Sequence, residues 1–338
     1  MGYICCDDMN DLICFNADCI GVTHCTLTNA TNGLGWPKVA GEIWENGKIN
    51  WDKFFDYRDQ EIKKIYEGNP RKECANCQHL HEIDELPQRK LKQVLLSPWQ
   101  ICNSDCVYCL GHVAPRDEKS EGYQEFFKTH EEPYDMLEIV KDMVDKKIID
   151  TTAKMNFAGG EPTLYPKFDA IIDYLVDNKF DNIILHTNNI QYSKAVERGI
   201  KENCISLMIS IDAGTKKCHE QVKRVISFDK VWKNFHNYAK AKPKDYDKKL
   251  ATKFVIVPGI NDTEKEIHEF VKKSKENGAT CVALNVYNQF LNNMEYDPKL
   301  MDKLYNLTEF FRLETKKYNI KCEIFPNLDV VYLKKFAN

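Results

Sequence analysis

The sequence has no long hydrophobic run and no strong excess of charge of either sign. Without a stretch of about 20 consecutive apolar residues, no segment is expected to cross a membrane. A formal net charge of −4 over 338 residues gives no general attraction to nucleic acid or to an anionic membrane surface. We therefore expect neither as a partner. A chain of this length can form one large α/β domain, or a barrel with a smaller companion domain.

The N-terminus lacks the pattern of an export signal. Residues 1–8 contain no charged segment followed by an apolar one, and Cys6 stands where a myristoylation signal requires Ser or Thr. The sequence therefore predicts a cytoplasmic protein. Thiols stay reduced in that compartment, so metal ligation explains the 14 cysteines better than disulfides do. We expect the isolated Cys204, Cys218 and Cys322 to be ordinary buried thiols.

Three cysteines, Cys102, Cys106 and Cys109, fall within eight residues at the end of a largely apolar run. We predict that this run, 94–101, is a buried strand. Thiolates are soft ligands, and one loop with this spacing can wrap one metal centre. A [4Fe–4S] cube held by only three cysteines keeps one iron open for a ligand. His112 follows at a spacing that suits a structural zinc site instead, and the loop alone does not decide between the two.

From about residue 92 the pattern is one of strands alternating with helices, which predicts parallel βα units. The predicted strands are 94–101, 154–157, 182–186, 206–211, 253–257, 281–287 and 321–325. The predicted helices lie near 134–147, 167–178, 192–202, 228–240, 263–276 and 298–317. This series indicates an α/β fold with a partial (β/α)6 TIM-type barrel, and the cysteine loop then lies at the C-terminal, catalytic edge of its first strand.

A second motif, Gly159-Gly160-Glu161-Pro162, follows the second predicted strand. Two glycines let the backbone approach a ligand closely, and carbonyl groups with a carboxylate can hold an ammonium group. The order of the two motifs, with Tyr108 before the last cysteine, resembles the radical S-adenosylmethionine (SAM) enzymes over roughly residues 92–290.

That resemblance implies two cofactors, a [4Fe–4S] cluster and SAM. The open iron would bind the amino and carboxylate groups of SAM. Reductive cleavage would then give methionine and a 5′-deoxyadenosyl radical, which abstracts hydrogen from a substrate carbon. The resemblance favours the iron–sulfur cluster over zinc at Cys102, Cys106 and Cys109.

Further segments resemble those that contact SAM in this family. Their candidate residues are Asn188, Ser210, Asp212, Lys223 and Val257. Period-2 alternation along 205–212 places Ser210 and Asp212 toward the barrel interior. Lys223 stands where some relatives have an arginine on the SAM carboxylate, and lysine keeps the charge but not the bidentate fork. Asn189 replaces a glycine of the family and still tolerates a positive φ.

Residues 1–90 form a cysteine-rich segment with one amphipathic helix, predicted at 52–67. The predicted apolar face of this helix consists of Phe54, Phe55, Tyr57, Ile62, Ile65 and Tyr66. After this helix in the sequence, Cys74-x2-Cys77 is a short cysteine turn of the kind that binds one metal ion. A four-cysteine zinc site and a redox dithiol are open alternatives for this segment.

The order of these features resembles the auxiliary-cluster domains called SPASM or twitch, although those usually follow the barrel. The resemblance implies a second [4Fe–4S] cluster held by Cys6, Cys25, Cys74 and Cys77, with Cys5 as the rival to Cys6. We predict three domains: an auxiliary-cluster domain at 1–90, the radical SAM barrel at 91–290, and a C-terminal extension at 291–338.

The resemblance also implies an oxidoreductase or transformase that needs a reductant such as flavodoxin or ferredoxin. Its substrate would be a peptide, with the auxiliary cluster accepting an electron. A carbohydrate or aminosugar, dehydrogenated or epimerised, is the alternative. Epimerisation requires a hydrogen donor, and alternation along its strand makes Cys281 the candidate. The alternative class is a non-catalytic iron–sulfur or zinc protein that relays electrons or binds a partner.

Overall fold

The computed structural model describes residues 3–16, 21–23, 43–45, 48–70, 74, 77, 79–97, 101–109, 135–286 and 297–325. The strands are β1 Tyr3–Cys5, β2 Leu12–Asn16, β3 Gly21–Thr23, β4 Trp44–Glu45, β5 Lys48–Ile49, β6 His81–Ile83, β7 Gln93–Ser97, β8 Lys154–Phe157, β9 Ile183–Thr187, β10 Ile205–Ser210, β11 Leu250–Ile256, β12 Cys281–Val286 and β13 Lys321–Ile324. The helices are α1 Asp7–Asp11, α2 Trp51–Tyr66, α3 Met136–Asp145, α4 Phe168–Asp177, α5 Lys194–Lys201, α6 Lys216–Lys223, α7 Phe228–Ala241, α8 Glu264–Glu276 and α9 Pro298–Lys317.

The chain divides into two units. Unit 1 comprises Met1–Gln100 and Lys128–Ile184, and unit 2 comprises Ile101–Phe127 and Leu185–Asn338. The alternation of parallel strands and helices confirms the predicted α/β fold, and the six predicted helices begin and end within two residues of their expected bounds. No helix in the described part of the chain is long and apolar enough to cross a lipid bilayer.

In unit 1 the strands are ordered β3–β2–β7–β8. β2, β7 and β8 run parallel, and β3 pairs antiparallel with β2. Val94 lies in register between Ile13 and Met155, and all three side chains are fully buried. The sequence pattern did not indicate β2, which brings the N-terminal segment into the same sheet as β7. The predicted domain boundary near residue 90 stays a proposal.

Helix α2 confirms the helix predicted at 52–67. It is capped by Asn50, whose Oδ1 accepts the backbone N–H of Lys53 at 3.1 Å. The buried positions, 54, 55, 58, 61, 62 and 65, recur at helical spacing. Tyr66 falls outside this stripe and is 45% exposed, so its place in the predicted apolar face was wrong.

A fully buried cation, Arg58, lies within that stripe. Its guanidinium donates to the backbone oxygens of Asn10, Pro87 and Gln88 at 3.0–3.2 Å and pairs with Asp59 at 3.0 Å. Carbonyl oxygens of two distant segments thus accept the hydrogen bonds that a buried guanidinium must donate. Arg58 thereby fixes the loop before β7 and the end of α1 against α2.

In unit 2 the strands are ordered β9–β10–β11–β12–β13. β10 to β13 are parallel, with Met208 opposite Ala251 and Ala251 opposite Cys281. Ile205, Leu207 and Ile209 are fully buried, and the residues between them are half-buried. This alternation confirms the predicted two faces of β10. Helix α6, capped by Thr215, was not among the predicted helices.

Candidate functional site

The cysteine loop, residues 101–109, is held against the end of α6. Asp105 N donates to Lys223 O at 3.1 Å, and Val107 N donates to Val222 O at 3.0 Å. An exposed ion pair of 3.3 Å joins Arg224 to Asp105. Arg224 ends α6 in the left-handed conformation, with φ 54°. A helix that the sequence pattern did not indicate therefore anchors the loop.

Asn188, at the end of β9, also contacts the loop directly. Its side-chain amide donates to Asn103 Oδ1 at 2.7 Å and to the sulfur of Cys102 at 3.5 Å. The next residue, Asn189, has φ 63°, which confirms that this position requires a residue tolerant of positive φ. Thr187 Oγ1 accepts the N–H of Asn189 at 2.8 Å. The turn thus aims Asn188 at the first cysteine.

A buried network joins Tyr108, Asp212 and Lys223. Asp212 Oδ2 accepts from both the Lys223 ammonium and the Tyr108 hydroxyl, and these two groups are themselves 2.9 Å apart. Its other oxygen, Oδ1, accepts the N–H of Val255 at 2.8 Å. Asp212 is fully buried and Lys223 is 2% exposed. The network ties the cysteine loop to β10, α6 and β11.

The charges in this network depend on one another. Burial opposes ionisation of Asp212, but the positive charges of Lys223 and Lys253 outweigh it and hold its pKa below the usual value. Burial likewise opposes protonation of Lys223, yet Asp212 and Cys106 keep the pKa of Lys223 above its usual value. The pair is therefore ionised at neutral pH. Burial raises the pKa of Tyr108 well above its usual value, so its hydroxyl acts as a donor.

Lys253, on β11, was not among the sequence candidates. It lies in register between Ser210 and Ala283, both smaller than itself, and is half-buried. Its ammonium forms no ion pair or hydrogen bond with any residue that the structure describes. Burial lowers the pKa of Lys253, although Asp212, Cys106 and Cys109 partly offset this. The alternation that selected Ser210 would have found Lys253 if applied to β11.

The loop after β11 is folded around Asn261. Its amide donates to Asp212 O at 2.9 Å and to Val255 O at 2.7 Å, and its Oδ1 accepts the N–H of Val257 at 2.6 Å. Val257, a sequence candidate, is buried with Ala213 and the half-buried Tyr108. Asn261 therefore joins the ends of β10 and β11, a role that the sequence analysis missed.

In unit 1 the glycine motif follows β8. Gly159 has φ 77° and Gly160 has φ 52°. A Cβ at Gly159 would lie 2.8 Å from the Cβ of Ser97, so conformation and close approach both require glycine. Glu161 is fully buried, and its Oε1 accepts from the Thr163 N–H at 3.3 Å and hydroxyl at 2.6 Å. It caps a short 3₁₀ turn, Pro162–Leu164.

Several of the N-terminal cysteines come together in unit 1. Cys5, Cys6 and Cys74 share one buried apolar cluster with Met9, Ile62 and Ile65. Cys77 is half-buried, and its N–H donates to Cys74 O at 3.2 Å. Burial, and then Cys6, raise the pKa of Cys5 to about 12. Cys25, the remaining predicted ligand, lies outside the described residues.

Cys281 is the first residue of β12 and is 2% exposed. In parallel strands the first residues lie at the edge opposite to the C-terminal ends. Asn188 and Asp212, which contact the cysteine loop, follow the C-terminal ends of β9 and β10. This placement argues against Cys281 as a hydrogen donor, because period-2 alternation specifies a face but not an edge. Cys204 and Cys218 are buried thiols, as predicted, and Cys322 is half-buried.

The chemistry of the loop fits an iron–sulfur cluster. Within the described ranges, no three His, Cys, Asp or Glu side chains converge closely enough to hold a single metal ion. A [4Fe–4S] cube places its cysteines on separate irons, so its thiols stand farther apart than the ligands of one ion. Cys102, Cys106 and Cys109 are half-buried. Burial raises the pKa of Cys106 above its usual value, and the positive charge of Lys223 partly offsets this. Three soft donors on one rigid loop suit such a cluster.

Two curated relatives match about half of the chain. GTP 3′,8-cyclase of Mannheimia succiniciproducens is 27% identical over 178 residues, which cover 52% of this chain and 48% of that protein. Mycofactocin maturase MftC of Mycobacterium tuberculosis is 24% identical over 158 residues, which cover 46% of this chain and 37% of that protein. The chain thus spans about half or less of the length of these relatives.

The structure of SuiB from Streptococcus suis, bound to the precursor peptide SuiA, is similar in fold. It has a TM-score of 0.53 at 15% identity, covering 91% of this chain and 61% of that one. The family model described as the Radical SAM superfamily matches residues 96–273. This segment covers more than half of the chain and contains the cysteine loop, the glycine motif and the Asp212 network. The protein therefore belongs to the Radical SAM superfamily.

Proposed function

We propose that this radical SAM enzyme oxidises a peptide by abstracting hydrogen from one of its carbons. Membership of the superfamily implies a [4Fe–4S] cluster and SAM. When bound, this pair supplies the 5′-deoxyadenosyl radical after one-electron cleavage of SAM. The observation that carries the proposal is the cysteine loop, which the Asp212 network and Asn188 hold in one place.

The proposed work of the chain is to bind and orient. Cys102, Cys106 and Cys109 hold the cluster, and the amide of Asn188 donates to the first of these sulfurs. The proposed SAM contacts are Tyr108, Gly159, Gly160, Glu161, Pro162, Asn188, Ser210, Asp212, Lys223 and Val257. Because the polar atoms of Asp212 and Lys223 bond to each other, we propose that they act on SAM mainly by fixing Tyr108 and the loop.

A second cluster, held by Cys6, Cys25, Cys74 and Cys77, would accept the electron that remains on the substrate after hydrogen abstraction. Three observations support part of this set. Cys6 and Cys74 share one buried cluster, Cys77 adjoins Cys74, and the Cys6 sulfur accepts the N–H of Met9 at 3.4 Å. Cys5, whose thiol donates to Cys6 O at 3.3 Å, stays the rival to Cys6.

The names of similar proteins favour a peptide substrate. MftC is a maturase, and SuiB has been captured with a precursor peptide. GTP 3′,8-cyclase acts on a different class of substrate. A carbohydrate or aminosugar is the alternative substrate class, and flavodoxin or ferredoxin is the proposed reductant. The three predicted domains, with an auxiliary-cluster domain at 1–90, form part of this proposal.

The first prediction separates the enzyme from a non-catalytic iron–sulfur or zinc protein. After anaerobic reconstitution, we expect the unaltered chain to make 5′-deoxyadenosine from SAM and dithionite. Cys109→Ala is expected to lose this product at least 100-fold, because one cluster ligand is gone. Cys204→Ala, at a buried thiol outside the loop and outside the proposed SAM contacts, is the control and is expected to retain it. A Cys109→Ala protein as active as the control would disprove the assignment.

A further inference from the structure

Helices α6 and α7 carry an excess of positive charge in a chain that is negative as a whole. Residues 216–240 contain seven Lys or Arg and two acidic residues, whereas the full chain has a net charge of −4. Six of these cations are exposed: Lys216, Lys217, Arg224, Lys230, Lys233 and Lys240. Lys216 pairs with Asp229 at 2.8 Å and Arg224 with Asp105. The other four form no ion pair with any residue that the structure describes.

One large apolar side chain between these two helices is exposed. Ile226, in the connection between α6 and α7, is 82% exposed, more than any other large hydrophobic residue described. A single exposed isoleucine needs no explanation by itself. Its place in the chain, between two helices that carry exposed cations, suits a protein–protein interface, which combines apolar and charged residues.

At the end of α6, this surface contacts the cysteine loop. Arg224 bonds to Asp105, which precedes Cys106, and the Asp105 N–H donates to Lys223 O at 3.1 Å. One peptide bond therefore joins Asp105 of the exposed ion pair to Cys106, a proposed cluster ligand. An electron delivered at this surface has only a short covalent and hydrogen-bonded path to the cluster.

We propose that the α6–α7 face, made of Lys217, Arg224, Ile226, Lys230 and Lys233, docks an acidic protein that donates single electrons to the cluster held by Cys102, Cys106 and Cys109. The proposal rests on the proposed function, which requires one electron for each SAM cleaved. The donor protein loses that electron and the cluster gains it, and no bond is formed or broken in the transfer. Charge complementarity suits such a partner, because transient redox complexes are small and are guided by long-range attraction.

The test compares two reductants acting on the reconstituted full chain. A flavodoxin kept reduced by NADPH and its reductase needs a docking surface, whereas dithionite does not. We expect Lys217→Glu/Lys230→Glu/Lys233→Glu to lower flavodoxin-driven 5′-deoxyadenosine formation at least 10-fold and to leave the dithionite-driven rate unchanged. Raising the salt concentration should also slow the flavodoxin-driven rate of the unaltered chain. Binding of flavodoxin to the chain, measured by isothermal titration calorimetry, should weaken with salt and in the triple variant, and equal binding by the triple variant and the unaltered chain would overturn the proposal.

The matched control is Lys244→Glu/Lys265→Glu/Lys299→Glu, which makes the same charge change at exposed lysines outside the α6–α7 face. It is expected to keep the flavodoxin-driven rate within two- to threefold. Ile226→Ser tests the apolar centre without a change of charge and should also lower the flavodoxin-driven rate alone. Equal losses in the two triple variants, or no loss in the first, would overturn the proposal. An unaltered chain inactive with dithionite would instead overturn the proposed function, and this proposal with it.

Discussion

At the scale of single residues, the polar side chains of the site mostly serve one another. Asp212 uses both carboxylate oxygens within the protein, for Lys223, Tyr108 and the N–H of Val255. A carboxylate without exposed surface must be paired in this way, because burial of an unpaired charge is very costly. The first function of Asp212 is therefore to hold the cysteine loop, and any contact with SAM depends on that.

The second prediction concerns this ion pair. Asp212→Asn leaves the Lys223 charge buried without a counter-charge, so we expect the free energy of unfolding to fall by about 3 kcal/mol. The folded-state pKa of Asp212 is lowered. Its ionised form therefore adds to the free energy of unfolding above the usual carboxyl pKa, and this stabilisation is lost as the pH falls through the folded-state pKa.

Urea unfolding at pH 7 measures the effect of Asp212→Asn. Asp247→Asn, at an exposed ion pair of 3.8 Å with Lys248, is the control and should cost under about 0.5 kcal/mol. Equal losses would refute the role of Asp212.

The third prediction concerns His219, which is 1% exposed and lies between Ile211 O at 3.0 Å and Ser227 Oγ at 3.1 Å. Burial, and then Lys223, lower its pKa to about 4. In the unfolded chain, His219 binds its second proton near pH 6.5. The free energy of unfolding is therefore highest above that pH and decreases as the pH falls toward 4. We expect the titration of His219 to lower the free energy of unfolding by on the order of 2–3 kcal/mol over this range.

Unfolding measured at pH 7, 5.5 and 4.5 tests this expectation. His219→Asn keeps a hydrogen-bonding side chain that does not titrate, so the decrease in the free energy of unfolding between pH 7 and 4.5 should become smaller. His79→Asn, at an exposed position, is the control and should show the same decrease as the unaltered chain. The interpretation fails if both variants give the same profile.

At the scale of elements, turns at the C-terminal ends of strands hold residues in left-handed backbone conformations. The turn after β8 depends on Gly159, the turn after β9 depends on Asn189 with φ 63°, and the end of β10 places Asp212 at φ 60°. Left-handed conformations suit sharp turns that return the chain to a helix. Asn189 was predictable from the Thr-Asn-Asn pattern. The positive φ of Asp212 was not, since its network stabilises a conformation that aspartate seldom adopts.

The fourth prediction separates the two reasons for glycine at position 159. Gly159→Ala adds a positive-φ penalty and a clash with Ser97, whereas Gly259→Ala adds only the penalty, because Gly259 has φ 82° and open space around it. We expect a loss of about 1 kcal/mol at Gly259 and about 2–4 kcal/mol at Gly159. Ser97→Gly, combined with Gly159→Ala, should recover part of the difference, because the contact of 3.3 Å with the Cα of residue 97 remains. Thermal unfolding of the four proteins measures it, and equal losses at the two glycines would rule out the clash.

At the scale of the whole molecule, the sequence analysis succeeded where patterns are local. The six predicted helices and the parallel strands follow from apolar periodicity, and the loop was marked by the spacing of Cys102, Cys106 and Cys109. It failed where contacts are distant. Nothing in residues 12–16 indicated pairing with β7, and Cys281 was placed on a face without regard to its edge.

The sequence by itself determined the superfamily and the α/β alternation, because both depend on residue types at fixed short spacings. Only the tertiary structure decided which side chains meet. Tyr108 lies 104 residues from Asp212, and Lys223 lies 11 residues beyond it. It was also the structure that showed the charge of Lys253 acting on Asp212, and the end of α6, with Lys223 and Arg224, against the loop. Such contacts arise from the packing of strands and helices, which no local pattern specifies.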